Sequence, residues 1–267
     1  MFYNHPGEGR YYGADYDQQS VNRHHQGETQ EYLICATPII ADVFINLPKL
    51  KTHKKVGVTL NIKNLVGINA DKNWLPHHID GSPRSGGDQY PNQKIKNIIE
   101  NILVKIVRKI ALNIPIVGPF LAKIFRKVGK KTFGAGDKTI RSGNWYGNDT
   151  TWRMAIDLNR CLLYGKTDGT FENTPKRYYS IVDGILGMEG NGPMHGTEKK
   201  CNVIICGSDI VAVDIVSSTL MGFDWEKIPM LKNSYSKNKY PITNIEPKDI
   251  KIISDRKDWC GDLKNLQ

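Results

Sequence analysis

Lys49, Lys51 and His53 stand at alternate positions in the run PKLKTHKK, and Lys63 and Asn64 follow soon after. Alternate side chains of an extended chain point the same way, so two ammonium groups and an imidazole would share one side. Lysines supply the charge that holds a phosphate or carboxylate, and an imidazole can exchange a proton near neutral pH. The chemistry read here is capture of an anion by Lys49, Lys51, Lys63 and Asn64, with His53 and Lys63 as candidate catalytic groups. The plain alternative is an exposed basic turn, because lysine runs are usually solvated.

A second group lies in the glycine-rich stretch DGILGMEGNGP, residues 183–193. Its glycines permit positive φ and close approach of a ligand to backbone N–H groups, so Gly190 and Gly192 are candidate ligand contacts. Asp183 and Glu189 could hold a divalent cation, and Glu189 could also handle a proton. The stretch has neither the Lys-Ser/Thr of a phosphate-binding Walker loop nor a G-x-G-x-x-G spacing, so nucleotide binding is not implied. A third group is Ser208 and Asp214. Ser208 reads as the N-cap of a helix over 210–221 and a ligand contact. Asp214 falls inside the apolar run VAVDIV and needs a partner, for which Lys63 or Lys51 would serve. His77 and His78 are adjacent and cannot face one way in regular structure, so a solvated loop is preferred to a shared metal.

These groups need elements to position them. Residues 42–47 read as a buried strand ended by Pro48, and 56–66 as a helix stopped at Gly67. A ligand would lie at the turn between them, beyond the carboxyl end of the strand. Residues 178–182 and 202–206 read as further strands, with 183–193 as a loop. Helices are expected from about 149 to 164 and over 225–236, and a last strand over 250–254. The fold class is α/β: a mainly parallel sheet with flanking helices and a basic amphipathic helical insertion. The expected division is a polar segment over 1–30, with His24 and His25 in surface loops, one domain over 31–255 and a tail over 256–267.

The insertion, residues 93–131, carries ten Lys or Arg against one acid, Glu100, which is nine of the ten net positive charges of the 267-residue chain. Apolar residues recur on one side of two amphipathic stretches there, which suits either packing on the sheet or an anionic membrane surface. Nucleic acid is a poorer partner, because no aromatic platform accompanies the charge. The five cysteines show no C-x-x-C pair, so no iron–sulfur cluster is expected and reduced thiols in the cytoplasm fit best; Cys35 and Cys206 are read as small buried hydrophobes. No stretch reaches the ~18 apolar residues of a spanning helix.

LPKLKTHKKVGVTLNIKNLVGI, VDGILGMEGNGP and GSDIVAVDIVSSTLMGFD occur in that order and resemble the three sequence blocks of the DUF362 family, a group named for having no assigned function. WYGNDTTWRMAIDLNRCLLYG is similar to a segment of one of its branches. Many members are longer at the N-terminus and some carry ferredoxin-like modules, so the chain reads as an N-terminally shortened member. The resemblance implies relatives without implying a reaction. Two functions are expected from the residues. One is an enzyme using acid/base chemistry on a phosphorylated, carboxylated or lipid-linked molecule. The other is a non-catalytic accessory protein at the membrane periphery that binds anionic lipid.

Overall fold

The computed structural model describes residues 1–2, 5–13, 18–92 and 142–266, together with Ile99, Ile102 and Ile106. Its strands are β1 (Tyr11–Tyr12), β2 (His25–Gln26), β3 (Thr29–Gln30), β4 (Val43–Asn46), β5 (Lys49–His53), β6 (Gly57–Thr59), β7 (His78–Ile79), β8 (Arg177–Asn191) and β9 (His195–Gly207). Its helices are α1 (Gln18–His24), α2 (Ala36–Ile40), α3 (Asn61–Asn64), α4 (Thr151–Tyr164), α5 (Ile210–Leu220) and α6 (Pro229–Lys232). The insertion over 93–131 lies outside the described residues, apart from those three isoleucines.

The chain is α/β, and its main sheet runs β4-β8-β5-β6 with β9 on the other edge of β8. The parallel pairings β4–β8 and β5–β8 are central, while β5–β6 and β8–β9 are antiparallel. Pro48 separates β4 from β5, so the two short strands follow one another along the long β8. The inner face of the sheet supplies Leu50, Val58, Tyr178 and Val182 to a core completed by Ile62, Ile156, Leu162, Ile210 and Ile215. α4 is buried on two sides: Ala155 and Ile156 face that core, while Met154 and Leu158 face a second cluster with Phe2, Tyr11, Val21, Leu75 and Ile79.

Several expectations are corrected. Residues 56–59 turn back as β6 instead of starting a helix, because Gly57 takes φ +84 and the β-branched alternation VGVT buries Val56 and Val58. The glycine-rich stretch 183–193 is mostly strand, since β8 and β9 pair as far as Asn191 with His195. β4 is not buried on both sides. Val43, Ile45, Tyr179, Ile204 and Cys206 alternate outward and are exposed, as is Cys35. The N-terminal residues are not a loose segment, for His25 is fully buried, 2.7 Å from the carbonyl oxygen of Trp74. Residues 225–236 form short turns around the buried Met230 and Leu231, and Ile252 makes only an isolated bridge with Gly261.

Candidate functional site

The β5–β6 hairpin carries Lys51 and His53 on its first strand and Lys55 in its turn. After β6 turns back, α3 presents Lys63. From the segment before β7 comes His77. These five groups interact electrostatically: Lys63, Lys55, His77 and Lys51 all act on His53, and Lys55 and Lys63 act on His77. Burial, followed by the neighbouring charges, pushes the His53 imidazole down to about 2 and that of His77 down to about 3. Both are therefore neutral near pH 7. Burial likewise lowers the Lys55 amine to about 7 and that of Lys63 to about 8, the latter with Lys51 as the opposing charge.

Local sequence explains how these side chains are held. The main-chain N–H of Lys55 donates to His53 Nδ1 at 3.1 Å, and His77 Nδ1 lies 2.8 Å from the carbonyl oxygen of Leu75. Lys55 Nζ donates to the carbonyl of Ser142. Asp88 is the nearest acid acting on Lys55, but its oxygens are occupied. They accept the N–H of Ile79 at 2.6 Å, of Asp149 at 2.8 Å and of Thr150 at 3.0 Å, and the Thr150 hydroxyl at 2.7 Å. Asp88 thereby ties the start of α4 to β7. Among the described residues Lys51 and Lys63 form no ion pair. The arrangement is a cluster of three lysines and two neutral imidazoles in which Asp88 is the carboxylate acting on Lys55, and the excess of positive charge among the described residues is suited to an oxyanion.

Of the residues read from the sequence, Lys51, His53 and Lys63 come together here. The others sit elsewhere. Lys49 is half-exposed and paired with Asp183 across β5 and β8. Glu189 pairs with Lys199 at 3.1 Å on the open β8–β9 ribbon, six positions from Asp183, so the two carboxylates hold different lysines and do not converge on a cation. Gly190 and Gly192 face protein backbone instead of a ligand. The carbonyl of Gly190 accepts the Thr52 hydroxyl at 3.0 Å, and that of Gly192 accepts the Lys54 N–H at 3.2 Å. Asn64 donates to Asn46 Oδ1 at 2.6 Å. Ser208 is exposed, and the cap of α5 is Asp209, which accepts the Ala212 N–H at 2.8 Å.

Asp214 is fully buried, and its partners are not lysines. It accepts the main-chain and side-chain N–H groups of Asn61 and the N–H of Ile62. Burial pushes its carboxyl up to about 7 against those donors. Lys55 and Asp88 complete the cluster without having been singled out from spacing, and His77, read from the sequence as a residue of a solvated loop, joins them. Lys55 sat in a basic run with nothing to separate it from Lys54. His77 lay in a stretch without periodicity, and His78 beside it turns away to stack on Tyr12 at 5.1 Å.

The chain is 24% identical over 191 residues to the thylakoid-associated protein sll1697 of Synechocystis sp., an alignment covering 72% of this chain and 36% of that relative. No solved structure matches it. Residues 9–219 match the family described as domain of unknown function (DUF362), which includes β4 to β9, α3, α4 and the whole cationic cluster, and the chain belongs to that family.

Proposed function

We propose that the protein is an enzyme that binds an anionic small molecule, phosphorylated or carboxylated, at Lys51, Lys55 and Lys63, with the neutral His53 and His77 hydrogen-bonded to it and Lys55 and Lys63 exchanging its protons. The observation that carries this reading is the gathering of three lysines around the imidazoles of His53 and His77, against which, among the described residues, Asp88 is the carboxylate acting on Lys55, itself engaged by N–H and O–H donors. Like charges held together out of water oppose folding, and a bound anion offsets that cost. Amines lowered to about 7 and about 8 can also exchange a proton with a substrate near neutral pH. Isothermal titration with inorganic phosphate tests the site. Binding is expected in the parent, weakening as pH rises through about 7–8, with a loss of roughly tenfold or more in Lys63→Met. A parent that takes up no phosphate across that range removes the reading.

A second reading places the same lysines against anionic lipid at a membrane surface. Ile99, Ile102 and Ile106 favour it, for they are helical, three and four residues apart, and about half exposed (49%, 51% and 50%). The relative's association with thylakoids points the same way. No helix among the described residues is long and apolar enough to cross a membrane, so attachment would be peripheral. Co-sedimentation with vesicles separates the two. Lipid binding requires attachment that rises with anionic lipid and weakens with salt.

A further inference from the structure

The two imidazoles of the cluster are held in opposite tautomers by the backbone, and this bears on which anion the proposed site accepts. A main-chain N–H donates to His53 Nδ1, so that nitrogen carries the lone pair and, in the neutral ring, Nε2 carries the proton. His77 is the reverse. Its Nδ1 faces the Leu75 carbonyl oxygen, which can only accept, so Nδ1 carries the proton and Nε2 the lone pair. Burial among lysines keeps both rings neutral, so neither gains its second proton near pH 7. A metal ion is a poor occupant for His77 Nε2, because the charges acting on that ring are Lys55 and Lys63.

We infer that His77 Nε2 is a hydrogen-bond acceptor in a site otherwise made of donors, and that the site selects an oxyanion still carrying an O–H over one that carries none. This rests on the anion-binding reading above and names its ligand class: hydrogen phosphate, or a phosphate monoester in its monoanionic form. The O–H of such a ligand donates to His77 Nε2, while its other oxygens accept from His53 Nε2–H and the lysines. Sulfate has the same shape and no proton, so it sets an oxygen lone pair against the nitrogen lone pair, and a polar site left unmatched discriminates strongly.

The test is titration of the full chain with inorganic phosphate and with sulfate at equal ionic strength and about pH 6, where a phosphate monoester is half monoanionic. Phosphate is expected to bind roughly tenfold tighter or more. In His77→Gln, whose amide can turn its NH2 to the anion, sulfate should gain and the gap should close. In His53→Gln the gap should persist. Nitrogen-15 NMR of histidine-labelled protein reads the tautomers without any variant, and a protonated Nε2 on His77 overturns the inference directly. Equal affinity for the two anions overturns the selection and leaves the anion site standing. Binding of neither overturns both. Vesicles locate the source: preferential capture of phosphatidic acid over phosphatidylglycerol, competed by phosphate, places the group on a lipid. Phosphate binding without vesicle capture places it on a soluble molecule. Equal capture of the two lipids speaks against the selection.

Discussion

Asp214 accepts both the main-chain and the side-chain N–H of Asn61, each at 2.8 Å, and so fixes the residue from which α3 and Lys63 are built. The other end of the Asn61 amide is held from the sheet. Its Oδ1 accepts the Tyr178 hydroxyl at 2.9 Å and the Ser180 hydroxyl at 2.6 Å. Asn159 of α4 donates to the carbonyl of Ile62 at 2.9 Å. Three elements therefore grip one turn of helix, and Lys63 leaves it as a rigidly placed cation, a positioning role for Asp214 that needs no contact with ligand.

Replacing Asp214 by Ala leaves the N–H groups of Asn61 and Ile62 buried without acceptors. Each such group costs about 1–3 kcal/mol, so a loss on the order of 3 kcal/mol in urea unfolding is expected. Asp214→Asn keeps one acceptor oxygen and should lose about half as much. An unchanged unfolding midpoint in the Ala variant would show that the clamp contributes nothing.

The lysines set an unusual pH profile. Lys55 and Lys63 titrate at about 7 and about 8 in the folded chain against 10.5 ordinarily, so above those values the unfolded chain binds protons that the folded chain does not. Stability then rises with pH until about 10.5. His53 and His77 act in the same direction from about 2–3 up to 6.5. Asp214 opposes them between 3.8 and about 7, because its folded carboxyl keeps a proton that the unfolded one has lost. In phosphate-free buffer the thermal midpoint should still be climbing from pH 8 to pH 10, and Lys63→Met should reduce that climb. Saturating phosphate should flatten it by holding the amines protonated. A profile that falls over this range in the parent would mean the amines are not desolvated.

How much of this could be read from the chain depends on whether a neighbour in sequence or a neighbour in space decides. β4, its end at Pro48, α4 and α5 follow from local pattern, and their bounds differ from those read by a residue or two. Residues 56–66 misled because VGVTLNIKNLV satisfies both periods, and only the pairing of His53 with Gly57 selects the hairpin. Asp183 and Glu189 looked like ligands because glycines surrounded them. Those glycines serve close packing instead: a Cβ on Gly184 would meet Val203 and Leu50, and one on Gly187 the Leu50 carbonyl. Buried polarity gave one useful signal, since Asp214 inside VAVDIV did require a partner, but its identity as Asn61, 153 positions away, is a property of the fold alone.

The ribbon carboxylates supply a contrast with Asp214. Asp183 and Glu189 make exposed pairs with Lys49 and Lys199, and such pairs are worth little. Asp183→Asn and Glu189→Gln should each leave the unfolding midpoint close to that of the parent and phosphate affinity unchanged. A large loss of binding in Glu189→Gln would bring that carboxylate back into the site.

The tip of the β8–β9 ribbon ties that element to the cationic hairpin, and Gly192 is where the contact is closest. A Cβ placed there would lie 1.9 Å from the carbonyl oxygen of Thr52, a backbone atom that cannot rotate aside. Gly192→Ala must push the ribbon off β5, which breaks the bond from the Lys54 N–H and the one from the Thr52 hydroxyl to Gly190. Forced overpacking of this kind costs about 1–3 kcal/mol. It also frees the turn that carries Lys55, so phosphate affinity should fall together with stability. Gly190 is the control, because its φ of +80 is strained for alanine while nothing lies within 4 Å of its Cβ position. Gly190→Ala should cost about 1 kcal/mol in stability and leave affinity intact. If both variants lose stability and neither loses phosphate, the ribbon supports the fold without supporting the site.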